Sequence, residues 1–121
     1  MADLAKRKCV PCEGGVPRLT RPRIEQLLGQ LGGGWKPIER GRRLTKRFTF
    51  PDFVTAVAFI DRVAVVAEKE QHHPDFCLHG YRLLDVTLST HAIDGLSEND
   101  FILAAKIDKL SDRASGAKPG T

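Results

Sequence analysis

Two histidine-bearing segments stand out by residue type and spacing. His72-His73-Pro74 comes first, and Ser89-Thr90-His91 follows, with Gly95-Leu96-Ser97 and Asp100 just behind. Histidine has the unperturbed side-chain pKa nearest neutrality, so it is the usual donor and acceptor of protons. Three of the four histidines fall in these two places. Pro74 biases His73 toward extended backbone, where adjacent side chains point apart, so His72 and His73 can face a ligand from two sides of a bend. Ser89 and Thr90 offer hydroxyls that can hydrogen-bond a planar polar ligand. Three imidazoles around one cleft suit a reaction that moves two protons: one protonates a leaving hydroxyl, and another takes a proton from the neighbouring atom. That is a dehydration, and no cofactor is expected for it. A solvated turn and a satisfied strand-end histidine would account for each segment alone. The proline-locked doublet, paired with a histidine at a strand-to-helix junction, favours chemistry.

Zinc is the obvious competitor, because three neutral imidazoles and a water make a catalytic zinc shell. The chain has no His-Glu-x-x-His, and adjacent histidines rarely bind one ion together, so no metal is expected. Cys9-Val-Pro-Cys12 is a lone C-x-x-C in a Pro/Gly-rich leader rather than at the start of a helix after a strand, which favours an inert over a redox role. Cys77 reads as a buried small apolar residue.

Composition narrows the class. The 121 residues fit one domain, and three cysteines at scattered spacing do not make a disulfide framework. No run of 18 apolar residues exists and the N-terminus lacks the apolar core of a secretory signal, so the expected setting is cytoplasmic with no membrane partner. Residues 1–50 carry twelve Lys/Arg against four Asp/Glu, and residues 51–121 carry seven against eleven. The basic hairpin of Arg40, Arg42, Arg43, Lys46 and Arg47 reads first as a solvated face, with a site for a phosphate or an acidic protein partner as the alternative. Nucleic acid is not expected, because no aromatics interleave these charges and no basic recognition helix follows.

The elements that must position the histidines follow from periodicity. Residues 1–19 read as an irregular leader, 20–111 as the folded domain and 112–121 as a flexible tail. Thr20 is a plausible N-cap for a first helix with Pro22 in its first turn and Ile24, Leu27, Leu28 and Leu31 on one stripe, stopped by Gly32-Gly33-Gly34. Residues 35–40 read as an edge strand containing Pro37, and Gly41 as a turn. Residues 44–50 alternate, with Leu44, Phe48 and Phe50 on one face, although Lys46 falls on that face too. Asp52 caps a second helix to about Lys69, with Phe53, Val57, Ile60, Ala64 and Ala67 as its stripe and further apolar residues around it. Such a helix wants two burial partners, the sheet and a second subunit or helix. Residues 76–81 and 83–90 read as a strand pair, with His91 ending the second strand. A third helix begins at Ser97 with a capping box closed by Asp100, and Leu103, Ile107 and Leu110 form its inner edge. The order α-β-β-α-β-β-α, with short turns inside each strand pair, implies an α+β fold: one four-stranded antiparallel sheet with three helices on one face.

The pattern Glu68-Lys69-x-x-His72-His73-Pro74, then Tyr81, then Leu88-Ser89-Thr90-His91-x-x-x-Gly95-Leu96-Ser97-x-x-Asp100 resembles that of pterin-4a-carbinolamine dehydratases, over residues 35–110. The resemblance implies that same fold, assembled as a homodimer or homotetramer. It implies dehydration of 4a-hydroxytetrahydrobiopterin or a similar pterin to the quinonoid dihydropterin, which recycles the cofactor of aromatic amino acid hydroxylases. By the same resemblance His72, His73 and His91 match catalytic positions. Ser89, Thr90 and Gln71 (where Asp is more frequent) match positions lining the pterin pocket. Pro74, Glu68, Trp35 and Asp100 match further positions at or near it. Two departures bear on the lip of that pocket. Six residues, Asp75 to Gly80, separate Pro74 from Tyr81 where the mammalian pattern has five, which a bulge near Gly80 could absorb, and Phe76 stands where Trp is common. Relatives of this family also act without catalysis, as a dimerisation cofactor or a Rubisco assembly factor. A non-enzymatic scaffold is therefore the alternative reading.

Overall fold

Local signals at the helix starts are realised as read. A computed structural model describes residues 4–10, 17–113 and 118–119. Helix α1, Arg21–Leu28, is capped by Thr20, whose side chain accepts from the Arg23 amide. Helix α2, Phe53–Glu70, is capped by Asp52, whose carboxylate accepts from the Thr55 amide at 2.8 Å. Helix α3, Glu98–Arg113, follows Ser97, and the capping box closes through the Ser97 amide donating to Asp100 Oδ2 at 3.0 Å.

Strands β1 (Lys36–Ile38), β2 (Arg43–Thr49), β3 (Asp75–His79) and β4 (Leu83–Leu88) form an antiparallel sheet in the order β1-β2-β4-β3. Pro37 lies in an edge strand, where a residue without an N–H is tolerated. A two-residue strand β5, Lys118–Pro119, also pairs with β2, at Phe48 and Thr49. The fold is α+β, in the α-β-β-α-β-β-α order. Leu44, Phe48, Leu84, Val86 and Leu88 turn one sheet face toward Ile24 and Leu27 of α1, Phe59 and Val63 of α2, and Phe101, Leu103 and Ile107 of α3, all buried. The other face is polar: Thr45 and Thr87 hydroxyls bond at 3.2 Å, and Arg47 grips Asp85 at 2.7 Å.

Lys46 sits on the apolar face because it has a partner there. Its Nζ lies 2.8 Å from Asp108 Oδ1 and over the Trp35 and Phe48 rings, at 5.7 and 4.9 Å. The glycine triplet passes against this pair. A Cβ on Gly32 would meet Asp108 Oδ2 at 3.2 Å, and one on Gly34 (φ +101°) would meet Lys46 Cε at 3.1 Å. It does not stop α1, which has already ended at Gly29.

Cys77 is exposed rather than buried, and four further sequence expectations are corrected. The buried stripe of α2 is Ala56, Phe59, Val63 and Ala67, while Phe53, Val54, Val57 and Val65 are exposed. Apolar residues surround this helix, so periodicity does not single out one stripe. The two alanines allow it close approach to its neighbours. Strand β4 ends at Leu88, and His91 opens a 3₁₀ turn, His91–Ile93, rather than ending the strand. No bulge occurs at Gly80: the β3–β4 register is regular from Asp75↔Thr87 to His79↔Leu83. The turn beyond it spans residues 80–82, with Gly80 and Tyr81 both in the left-handed region. Finally, part of the leader has structure. Leu4–Lys6 forms a 3₁₀ turn packed on α3, with Leu4 buried in the core.

Candidate active site

The end of α2 sets the first two histidines. Gln71 adopts a left-handed conformation (φ 53°, ψ 38°) as the C-cap, and its amide and that of His72 turn back to the Ala67 carbonyl. The chain leaves the helix abruptly there, and His72 and His73 diverge. His72 points inward, where its Nε2–H donates to Asp100 Oδ1 at 2.6 Å. His73 points outward, and its Nε2 meets Glu68 Oε2 at 2.5 Å, with both side chains largely exposed.

Asp100 is fully buried and organises this side of the site. Besides His72 it accepts from the Thr90 hydroxyl at 2.8 Å and the Ser97 amide at 3.0 Å. Ser97 Oγ–H in turn donates to Thr90 Oγ1 at 2.7 Å. With Nε2 of His72 donating to the carboxylate, Nδ1 carries the ring's free lone pair. One buried side chain thus caps α3, fixes Thr90 and orients an imidazole.

His91 lies on a small closed turn. Thr90 and Gly95 exchange backbone bonds, 2.9 Å from the Thr90 amide and 3.4 Å from the Gly95 amide, so residues 91–94 loop out from a pinned base. Asp94 is left-handed (φ 47°). The His91 ring is exposed and has no side-chain partner among the described residues.

His72, His73 and His91 line one open cavity of about 580 Å³, together with Gln71, Ser89 and Thr90. Glu68, Asp100, Pro74 and Trp35 do not line it. Glu68 and Asp100 stand behind His73 and His72, and Pro74 follows the doublet. Trp35 is elsewhere: it is buried against Phe48 and its Nε1–H donates to Asp108 at 3.0 Å. Phe76 likewise faces the core rather than the cavity. Among the described residues no group of three His, Cys, Asp or Glu side chains is arranged to hold a metal ion.

Sequence reasoning missed one wall. Cys9, Val10, Glu70 and Asn99 also line the cavity. Asn99 holds the leader like a strand neighbour, accepting from the Val10 amide at 2.9 Å and donating to the Val10 carbonyl at 2.6 Å. Glu70 accepts from the Cys9 amide at 2.7 Å. Burial, followed by the Glu70 charge and hydrogen bond, pushes the Cys9 thiol up to about 12, so it is neutral at ordinary pH. Its C-x-x-C companion, Cys12, lies outside the described residues. The only sequence signal for this wall was Asn99, a polar residue inside a capping box in which it has no capping role.

Comparison with known proteins identifies the family. Residues 17–110 match the family model described as pterin 4 alpha carbinolamine dehydratase. A Nitrosomonas eutropha protein provisionally named pterin-4-alpha-carbinolamine dehydratase is 49% identical over 110 residues, 91% of this chain and 95% of that one. A Rubrobacter xylanophilus protein with the same provisional name is 44% identical over 110 residues, 91% of this chain and all of the other. Among solved structures, a transcriptional coactivator/pterin dehydratase from Brucella melitensis superposes with a TM-score of 0.71 at 36% identity, covering 77% of this chain and 97% of that one. A pterin dehydratase-like protein described as a RuBisCO assembly factor in the alpha-carboxysome superposes at 0.55 and 28% identity, covering 64% and 88%. The chain belongs to the pterin 4 alpha carbinolamine dehydratase family.

Proposed function

We propose that the protein removes water from a pterin 4a-carbinolamine, 4a-hydroxytetrahydrobiopterin or a close analogue, giving the quinonoid dihydropterin. The observation that carries this is the meeting of His72, His73 and His91 on one cavity, with the buried Asp100 behind His72. In the reaction the bond from C4a to the hydroxyl oxygen breaks, and the oxygen takes a proton and leaves as water. The neighbouring ring nitrogen loses its proton, and a carbon–nitrogen double bond forms. His72, with Nδ1 free and Nε2 held by Asp100, accepts the nitrogen's proton. His91, exposed and unpartnered, protonates the leaving hydroxyl. His73, tied to Glu68, flanks the ring, and Gln71, Ser89 and Thr90 supply hydrogen bonds at its edge. No metal or redox cofactor is required. In the cell this would recycle the pterin cofactor of an aromatic amino acid hydroxylase, in the cytoplasm. The test is the rate of 4a-hydroxyl loss with purified, chelator-treated protein. Acceleration over buffer supports the reading, and none refutes it.

The folded unit is taken as residues 20–111, and the protein as a homodimer or homotetramer. Exposed Phe53, Val54, Val57 and Val65 on α2 support self-association. The alternative is a scaffold, favoured by the likeness to the assembly factor. Its docking site would be the basic hairpin, yet Arg42 and Arg43 already reach Asp94 of this chain, at 3.2 and 3.9 Å. Replacing these two would therefore disturb the His91 turn as well. Arg40→Glu is the cleaner probe: a large protein partner lost with Arg40→Glu and kept with His91→Ala would favour the scaffold.

A further inference from the structure

The turn that carries His91 is gripped from outside by the basic half of the chain. Arg18 Nε donates to the Ile93 carbonyl at 3.0 Å, and its guanidinium lies 3.8 Å from Asp94 Oδ2. Arg42 donates to the same carboxylate oxygen at 3.2 Å. Arg43 approaches Oδ1 at 3.9 Å but is committed to Glu39 at 2.8 Å. Arg42 also touches the site strand through its backbone, since Ser89 Oγ–H donates to the Arg42 carbonyl at 3.1 Å. Three guanidiniums on one carboxylate exceed what a solvated hairpin needs, and all of them address the two residues that close the His91 turn.

Gly95 shows that this approach is built in. A Cβ there would stand 2.5 Å from Arg18 Cγ and 2.7 Å from Cδ. Only glycine lets the Arg18 stem cross the base of the turn and reach Ile93 and Asp94. The Thr90–Gly95 bridge fixes that base but leaves residues 91–94 without side-chain anchors to the core; none of them is buried. The arginines supply the missing anchors.

We infer that Arg18 and Arg42 are positioning residues for His91: they hold its turn against the cavity, and proton transfer through His91 depends on them. The dependence of rate rests on the dehydratase reading; the hold on the turn does not. The pairs are half exposed, so each alone is weak and salt-screened, and the effect belongs to the two together. A misplacement of about 1 Å at a reacting group costs up to about 10²-fold in rate.

The test uses the full chain with Arg18→Met plus Arg42→Met, which keeps both aliphatic stems and removes both guanidiniums. Arg40→Met, which removes a nearby charge with no ion pair among the described residues, is the control. Amide relaxation by NMR reads the turn directly. The order parameters of residues 91–94 fall from about 0.85 to below about 0.6 in the double variant and stay high in the control. Dehydration reads the consequence. The double variant loses roughly 10- to 10²-fold in kcat with KM moved less than about threefold, and loses less than about twofold when placed on His91→Ala. Rigid amides in the double variant would overturn the hold. A rate loss of equal size in the His91→Ala background would overturn the route through His91. If the wild type does not accelerate dehydration, the dehydratase reading falls, and the relaxation result alone still decides the hold.

Discussion

Among single residues, Asp100 organises the site. It bonds His72, Thr90 and the Ser97 amide at once, so Asp100→Asn puts an amide donor where three donors converge. The His72 tautomer reverses, and Nδ1 no longer accepts. We expect a loss of about 10²–10⁴ in kcat, the scale of one acid–base group, measured on protein whose thermal midpoint is checked in parallel. A rate near wild type would show that His72 needs no orientation from Asp100. His72, His73, Gln71, Ser89, Thr90 and His91 were legible in the sequence because two short segments carry them all. Trp35 was named with them but lies against Asp108, since a resemblance by position does not say which way a ring points. Cys9 and Val10 were not legible at all: they reach the cavity only because Asn99 and Glu70 bond their backbone across about ninety and sixty residues of chain. The Cys9 thiol offers a check. With its pKa pushed up to about 12 it is not a thiolate at pH 8, so peptide mapping after iodoacetamide should find exposed Cys77 alkylated well before Cys9. Equal labelling would contradict the docking of the leader.

At the scale of elements, α2 is the instructive case. Its cap at Asp52 and its stop before the histidine doublet followed from local chemistry. Its buried face did not, because Val54, Val57 and Val65 are as apolar as the residues that the core chose. Those three, with Phe53, remain on the surface of the monomer. Val54→Glu plus Val57→Glu should reduce the sedimentation coefficient to that of a monomer while leaving helix content unchanged; a wild type already monomeric at micromolar concentration would remove the assembly proposal. On the polar sheet face, the Arg47 hydrogen bond chiefly, with His79 adding to it, holds the Asp85 carboxyl below its usual value despite some burial. A depressed folded-state pKa gives stability that is present above the unfolded value of about 3.9 and is lost as pH falls through the folded one. Asp85→Asn should therefore flatten the acid limb of a stability–pH curve and leave the alkaline limb in place. An acid limb of unchanged slope would show that Asp85 contributes nothing to it.

At the scale of the whole molecule, the charge asymmetry of the sequence acquires a use. The basic first half does not face solvent alone: Arg7 bonds Glu98, Arg18 and Arg42 hold Asp94, and Lys46 is buried on Asp108. The acidic second half supplies the partners. Composition recorded the imbalance; the antiparallel pairing of β2 with β4 and the packing of the leader turn on α3 bring the two halves face to face. The fold class was legible because helix and strand periods alternate cleanly. The site's outer wall and the grip on its turn were not, because both join residues distant in sequence. Acid–base catalysis by histidines on a pterin carbinolamine is tested by the pH dependence of kcat/KM for its dehydration by the metal-free wild type. One imidazole that gives a proton and another that takes one should give a bell-shaped profile, with rate lost on both the acid and the alkaline side. A profile flat from mildly acidic to alkaline pH would contradict it.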